Sequence, residues 1–138
     1  KVAYKVADET VNNSVAYQDD DDLLFAVGIG ETWLATFKLF TSGDATADIK
    51  FQLTSPVGST VNASITGQRP ADAVVTVLVL PAILGCSAAA GGLCATIEAY
   101  VVNPTTAGNV TLQWAQSVLT VANTTLRAGS SVTARRIA

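Results

Sequence analysis

The sequence predicts an all-β fold, a β-sandwich of the jelly-roll type with about 8 to 10 short antiparallel strands. Apolar and polar residues alternate in several short runs, and a period of two is typical of strands with one buried face. Turn residues separate these runs at intervals of about 8 to 12 residues, which is the spacing of strands in sandwiches and barrels. The 138 residues suffice for one core, so residues 1–138 are expected to form a single domain.

The strands can be placed one by one from the alternation. Short strands are expected at 2–6 and 23–27, and a closing pair around Thr125 and Val132. Because alternate side chains of a strand point to the same side, the apolar members of the clearest runs are predicted to form the core. These runs contain Trp33, Ala35, Phe37 and Leu39; Ile49, Phe51 and Leu53; Val61, Ala63 and Ile65; Ala95, Ile97, Ala99 and Val101; and Val110, Leu112 and Trp114. Both tryptophans are thus predicted to be core residues rather than platforms for sugar rings.

Residues 74–80 differ from the other runs because they are apolar on both faces. They are expected either to form a central strand or to meet another subunit as well as the core. Val75, Val77 and Val79 are therefore interface candidates, and Tyr100, on the polar face of its strand, is another. The three valines lie in an uncharged stretch from Ala73 to Ile97. This stretch is interrupted by Pro81 and several glycines, so we expect strands there and no membrane span.

Composition excludes several classes of function. Eight Lys and Arg against eleven Asp and Glu give a net charge of −3, and there is no His. Without His, the chain has neither Ser-His nor Cys-His catalysis and no His-ligated zinc. No stretch is basic enough for a nucleic-acid footprint. We therefore expect no enzyme, no cofactor and no nucleic-acid partner.

Asp19, Asp20, Asp21 and Asp22 are the only cluster of charge. Adjacent carboxylates repel one another, and a hard cation such as Ca²⁺ relieves that repulsion with oxygen ligands. The spacing does not match an EF-hand loop, and only alternate side chains of a strand converge. A solvated loop or a charged strand edge accounts equally well for the pattern. These four residues are weak metal candidates, and we predict no metal.

Cys86 and Cys94 are the only cysteines, and they flank a loop of small residues. Two thiolates without His cannot complete a zinc site. Either they form a disulfide that closes the loop, or they are two free buried thiols. We predict the disulfide, which would add about 2 kcal/mol to stability.

Five strings of the sequence carry a resemblance beyond composition. They are residues 5–14 (KVADETVNNS), 18–27 (QDDDDLLFAV), 46–51 (TADIKF), 105–116 (TTAGNVTLQWAQ) and 126–136 (LRAGSSVTARR). Together they resemble a set of small virion proteins of tailed bacteriophages over nearly the whole chain; the loop from Cys86 to Cys94 departs from that set. The resemblance implies a jelly-roll module, similar to TNF-like and C1q-like domains, on the exterior of a virion. It implies no catalytic residue, and modules of this kind commonly form trimers.

The resemblance and the composition together predict a virion structural protein. We expect an exterior capsid decoration protein, a homotrimer that binds major capsid or tail proteins of the same virion and stabilises the assembled head. The alternative is a tail-fibre or head-fibre module whose loops bind a host receptor or a carbohydrate. Arg135 and Arg136 are the densest positive charge and are expected either to anchor against an acidic lattice surface or to be solvated in the last strand.

Overall fold

A computed structural model describes residues 1–69, 74–85 and 93–138 of the chain. These residues form twelve strands and no helix, so no described segment is a helix able to cross a membrane. The strands are β1 (Val2–Tyr4), β2 (Glu9–Asn12), β3 (Gln18–Val27), β4 (Glu31–Gly43), β5 (Ile49–Thr54), β6 (Thr60–Gln68), β7 (Val75–Val79), β8 (Ala82–Leu84), β9 (Leu93–Asn103), β10 (Gly108–Gln116), β11 (Asn123–Leu126) and β12 (Ser131–Arg136).

The strands form two antiparallel sheets. The larger sheet has the order β1-β12-β4-β9-β6-β7, with β11 joining β4 to β2. The smaller sheet has the order β3-β10-β5-β8. The prediction of an all-β sandwich is confirmed. Its strand count was too low, because β2 and β8 are short and carry little alternation of their own.

Eight of the strands follow the jelly-roll order. Apart from β2, β6, β7 and β11, the strands in chain order are β1, β3, β4, β5, β8, β9, β10 and β12. The first, eighth, third and sixth of these lie side by side in the larger sheet, and the second, seventh, fourth and fifth in the smaller one. Apart from the fourth and fifth, successive strands of the eight therefore lie in different sheets, and two interlocked Greek keys enclose one core.

The core lies between the sheets and is built from the predicted alternating residues. Phe25 of the smaller sheet contacts two rings of the larger one, with centroid distances of 5.8 Å to Trp33 and 6.4 Å to Phe37. Trp114 and Phe51 are wholly buried on neighbouring strands. Both tryptophans are core residues, as the pattern predicted. Each such aromatic side chain contributes about 3 to 5 kcal/mol to stability by the cost of its truncation.

The apolar stretch at 74–80 is not a central strand. Its described strand, β7, pairs with β6 alone and lies at the edge of the larger sheet. Leu78, opposite Ile65, packs against the core, whereas Val75, Val77 and Val79 point outward. The two-faced apolar pattern therefore reflects an edge strand with one face on the core and an uncovered apolar face.

Candidate interaction surface

The face of the larger sheet that points away from the smaller sheet, here called the outer face, carries most of the predicted interface residues. At one margin, on β7, Val75, Val77 and Val79 are 66%, 64% and 78% exposed. Three exposed valines in a row are unusual in a strand whose opposite face is already packed. Such a patch is typical of a surface that another protein covers.

Tyr100 and Arg135 lie on the same outer face. Across the sheet, Tyr100 of β9 is the cross-strand partner of Leu34 on β4, and Leu34 is in turn the partner of Arg135 on β12. On its other side Tyr100 pairs with Asn62 of β6. Tyr100 and Leu34 are half-exposed, at 40% and 41%. The fold thus places the apolar pair Tyr100 and Leu34 beside the Arg135 cation. Tyr100 lies on β9, two strands from β7.

Short hydroxyl side chains lie between the apolar residues of the outer face. They include Thr36 of β4, Thr96 of β9 and Thr133 of β12. The Thr36 hydroxyl donates a hydrogen bond of 2.8 Å to the Glu98 carboxylate. At the far margin, β1 adds Val2 and Tyr4, which are 73% and 61% exposed. The outer face is therefore a broad sheet surface with exposed apolar residues at both margins, and with hydroxyl groups beside Tyr100 and Leu34 on its central strands.

Arg136 does not share this face. It is in register with Trp33, and its Nη1 lies 2.9 Å from Oε1 of Glu31. Glu31 also accepts hydrogen bonds from the Gly28 backbone N–H and the Trp33 indole. The Gly28 N–H most of all, then the indole and the Arg136 charge, lower the pKa of Glu31. The two neighbouring arginines therefore have different surroundings, and only Arg135 adds charge to the outer face.

The aspartate cluster interrupts the edge strand of the smaller sheet. Leu24 of β3 is in register with Thr111 of β10, but Asp19 is in register with Gln113. Thus β3 advances five residues where β10 advances two, and the cluster forms a bulge. Asp20 turns inward and is wholly buried, whereas Asp19 and Asp21 are exposed. The sequence left open that the four aspartates form a charged strand edge. That description applies to Asp19 and Asp21.

Asp20 is paired with a buried cation. Its Oδ2 lies 2.7 Å from Nζ of Lys5, which is 2% exposed and also lies 2.8 Å from Oε2 of Glu9. Burial alone would lower the pKa of Lys5, but the carboxylates of Asp20 and Glu9 outweigh it and raise that pKa. In the described part of the chain, no three Asp, Glu, Cys or His residues lie close enough to hold a metal ion. The sequence offered no signal for Lys5, which stands alone between apolar residues.

The predicted disulfide would join Cys94 to Cys86, and Cys86 lies outside the described residues. At the end of β9, Asn103 is wholly buried, and its amide donates to the carbonyls of Gly28 and Thr106 at 2.9 and 2.8 Å. Its Oδ1 accepts a 2.8 Å hydrogen bond from the Ser59 hydroxyl. Asn103 therefore fastens three loops together rather than presenting its side chain to a ligand.

A groove of about 510 Å³ adjoins the outer face where β6 extends beyond the end of β7. Leu53, Val61 and Leu80 contribute apolar walls, and no aromatic ring is among its described lining residues. Its polar groups are supplied by Gln52, Asn62, Ser64 and Glu98. The groove continues the outer face around the sheet edge and is the one described recess next to the valine margin.

Comparison with known proteins gives little further information. No family model and no curated protein matches the chain. Two solved structures of infectious bursal disease virus are weakly similar: that of the Gt strain is 11% identical with a TM-score of 0.27, and that of the Gx strain is 12% identical with a TM-score of 0.23. The alignments cover 97% and 99% of this chain but 40% of each of the other chains. Scores this low carry no argument about function.

Fold and surface together define the class. The chain is a jelly-roll β-sandwich whose larger sheet has an exposed outer face with apolar residues on its edge strands.

Proposed function

We propose that the chain is a non-enzymatic structural subunit of a bacteriophage particle, a decoration protein that forms a homotrimer on the exterior of the head. The virion assignment is supported by the sequence strings that resemble small tailed-phage virion proteins. The outer face supports a role in binding protein neighbours. A subunit that binds the assembled lattice better than free capsid proteins stabilises the lattice by mass action.

The observation that carries the proposal is the row of exposed valines on the edge strand β7. Full burial of one valine side chain contributes about 1.5 to 3 kcal/mol. Association in turn costs about 4 to 15 kcal/mol in lost translational and rotational freedom. Three valines together contribute about 4.5 to 9 kcal/mol, which leaves little or no net affinity over most of that range. The interface therefore has to extend across the outer face, and Tyr100, Leu34 and Arg135 are placed to extend it.

The mixture of polar and apolar side chains on the outer face suits a contact between folded subunits. Non-obligate interfaces are about as polar as the rest of a protein surface, with apolar and aromatic residues concentrated at a few places. Hydroxyl groups of Thr36, Thr96 and Thr133 are short and present little rotamer entropy to lose. A broad sheet face with hydroxyl groups, valine at one margin and Tyr4 at the other therefore fits a neighbouring protein better than a small ligand.

The second candidate is a fibre module that binds a carbohydrate or host receptor. The groove beside β6 favours it, because Gln52, Asn62 and Glu98 place amide and carboxylate groups within one recess. Such groups hydrogen-bond sugar hydroxyls. The stacking ring typical of sugar sites is missing from the described lining of the groove.

Cryo-electron microscopy of the virus particle that carries this chain tests the proposal. We expect trimeric density distributed over the head lattice, with the outer face turned to a neighbouring subunit. A few copies at the tail or at a vertex, with the outer face bare and the groove directed outward, would replace the decoration role with the fibre role. Absence of the chain from purified particles would refute both.

A further inference from the structure

A lysine amine lies between the carboxylates of Asp20 and Glu9 in a space nearly closed to water, and a third carboxylate, that of Asp22, lies 3.8 Å from it. Lys5 is 2% exposed and Asp20 is wholly buried; Glu9, at 29%, connects the cluster to the surface. The Lys5 Nζ atom lies 2.7 Å from Oδ2 of Asp20 and 2.8 Å from Oε2 of Glu9. A primary amine is a nucleophile once it loses its proton, and the adjacent carboxyl carbon is an electrophile.

The second carboxyl oxygen of Asp20 accepts hydrogen bonds from two backbone N–H groups, as in an oxyanion hole. Its Oδ1 accepts hydrogen bonds from the N–H groups of Asp22, at 3.0 Å, and Leu23, at 2.7 Å. The bulge in β3 aims both donors at the same oxygen. Two N–H groups directed at one carboxyl oxygen stabilise the negative charge that develops there when the carbon is attacked.

The partners are held in place before any reaction. The backbone N–H of Lys5 donates to the Ser130 carbonyl at 2.8 Å, and the Lys5 carbonyl accepts from the Gly129 N–H at 2.9 Å. Glu9 is oriented by Gln18, whose side-chain amide donates to Oε1 and leaves Oε2 directed at Lys5. Groups held in reactive geometry avoid most of the entropy cost of a bimolecular reaction.

We propose that Lys5 and Asp20 become joined in the folded chain by an amide bond between Nζ and Cγ, with Glu9 as the proton carrier. The bond would fix the end of β1 to β3 covalently. This proposal is independent of the proposed virion role, because it concerns only groups within one chain.

The step balances without an oxidant or a further reactant. One proton passes from the Lys5 ammonium to the Asp20 carboxylate, which gives a neutral amine and a carboxylic acid. The Nζ lone pair attacks Cγ, and Oδ1 takes the negative charge beside the two backbone N–H groups. Glu9 accepts one proton from Nζ and returns it to the departing Oδ2 hydroxyl. Water leaves as the Cγ–Oδ2 bond breaks, and Glu9 is regenerated as a carboxylate.

Mass spectrometry of the purified chain, after reduction and denaturation, tests the proposal. We expect a mass lower than that of the sequence by one water molecule. Cleavage after Glu9 and Glu31 should then release peptides 1–9 and 10–31 joined as one branched species. A full sequence mass together with two separate peptides would show that the cluster is only a buried ion pair, and the proposal would be wrong.

Three variants assign the roles. Glu9→Gln keeps the shape but removes the proton carrier, so we expect the uncrosslinked mass in a chain that still folds. Lys5→Arg keeps the positive charge without an attacking amine and should also give the full mass. Glu98→Gln, on the outer face, is the control and should remain crosslinked. A crosslinked Glu9→Gln chain would rule out Glu9 as the proton carrier.

Discussion

Val77 of β7 and Thr66 of β6 are antiparallel partners, and both side chains point to the outer face of the larger sheet. On its other side β7 pairs with no strand among the described residues. Edge strands of soluble proteins are usually protected by charge, proline or a bulge, and the exposed positions of β7 have none of these in their side chains. We therefore expect copies of the chain to associate through this margin.

Substitution of Val77 by aspartate should abolish self-association. A carboxylate at the centre of the valine row would be desolvated in the interface, and a weakening of at least about 100-fold corresponds to about 2.8 kcal/mol. Sedimentation velocity at micromolar concentration should show a trimer for the unmodified chain and a monomer for Val77→Asp. Val57→Asp, at an 85% exposed position between β5 and β6, is the matched control and should stay trimeric. An unmodified chain that sediments as a monomer would contradict the expectation.

Removal of the Asn103 side chain should destabilise the fold without affecting the outer face. Asn103→Ala leaves the carbonyls of Gly28 and Thr106 and the hydroxyl of Ser59 without their partner, at a cost of about 2 to 3 kcal/mol. Urea unfolding followed by tryptophan fluorescence measures the loss. Asn109→Ala, at an exposed position of the next strand, should change stability by less than about 0.5 kcal/mol. Equal losses in both variants would mean that the three loops are not fastened by Asn103.

Much of the fold could be predicted from the sequence because alternation reports directly on burial. Phe37 and Ile97 lie inward on paired strands as the period of two requires, and Thr36 and Glu98 lie outward beside them. The residue pattern of a strand reports less directly on whether the strand lies at the centre or at the edge of its sheet. The apolar run at 74–80 was ambiguous because an uncovered apolar face and a doubly buried strand have the same residue pattern.

The buried cluster could not be predicted, because it depends on contacts between distant segments. Lys5 carries no local sign that it is buried, and its partner Asp20 stands among three similar aspartates. The bulge that separates Asp20 from Asp19 and Asp21 exists only because β3 is paired with β10. Likewise, the shared face of Tyr100 and Arg135 follows from the position of β4 between β9 and β12.

Among the four aspartates, only Asp20 should be essential for stability. Asp20→Ala would leave the Lys5 ammonium buried without its closest partner, which costs about 3 to 5 kcal/mol relative to the ion-paired chain, and it would also prevent the proposed amide bond. Asp21→Ala, at an exposed position of the same bulge, should change stability by less than about 0.5 kcal/mol. Thermal melts of the two variants measure the difference. Excess Ca²⁺ or EDTA should leave the melting temperature of the unmodified chain unchanged, and a rise with Ca²⁺ would restore a metal role for the cluster.

Glu31 should make stability depend on pH in the acid range. Its pKa is lowered in the folded chain, first by the Gly28 N–H, then by the Trp33 indole and the Arg136 charge, so the unfolded chain binds the proton more readily. The stabilisation by the Glu31 carboxylate is therefore fully present above the ordinary pKa of a glutamate, about 4.3. It is lost as the pH falls through the lower pKa that Glu31 has in the folded chain. Urea midpoints of the unmodified chain and Glu31→Gln, measured between about pH 7 and pH 3, should converge at the acid end. Arg136→Gln should retain most of the pH dependence. It removes a smaller contribution to the lowered pKa of Glu31 and leaves the Gly28 hydrogen bond in place. A constant difference between the unmodified chain and Glu31→Gln at every pH would show that the contacts do not distinguish the two protonation states.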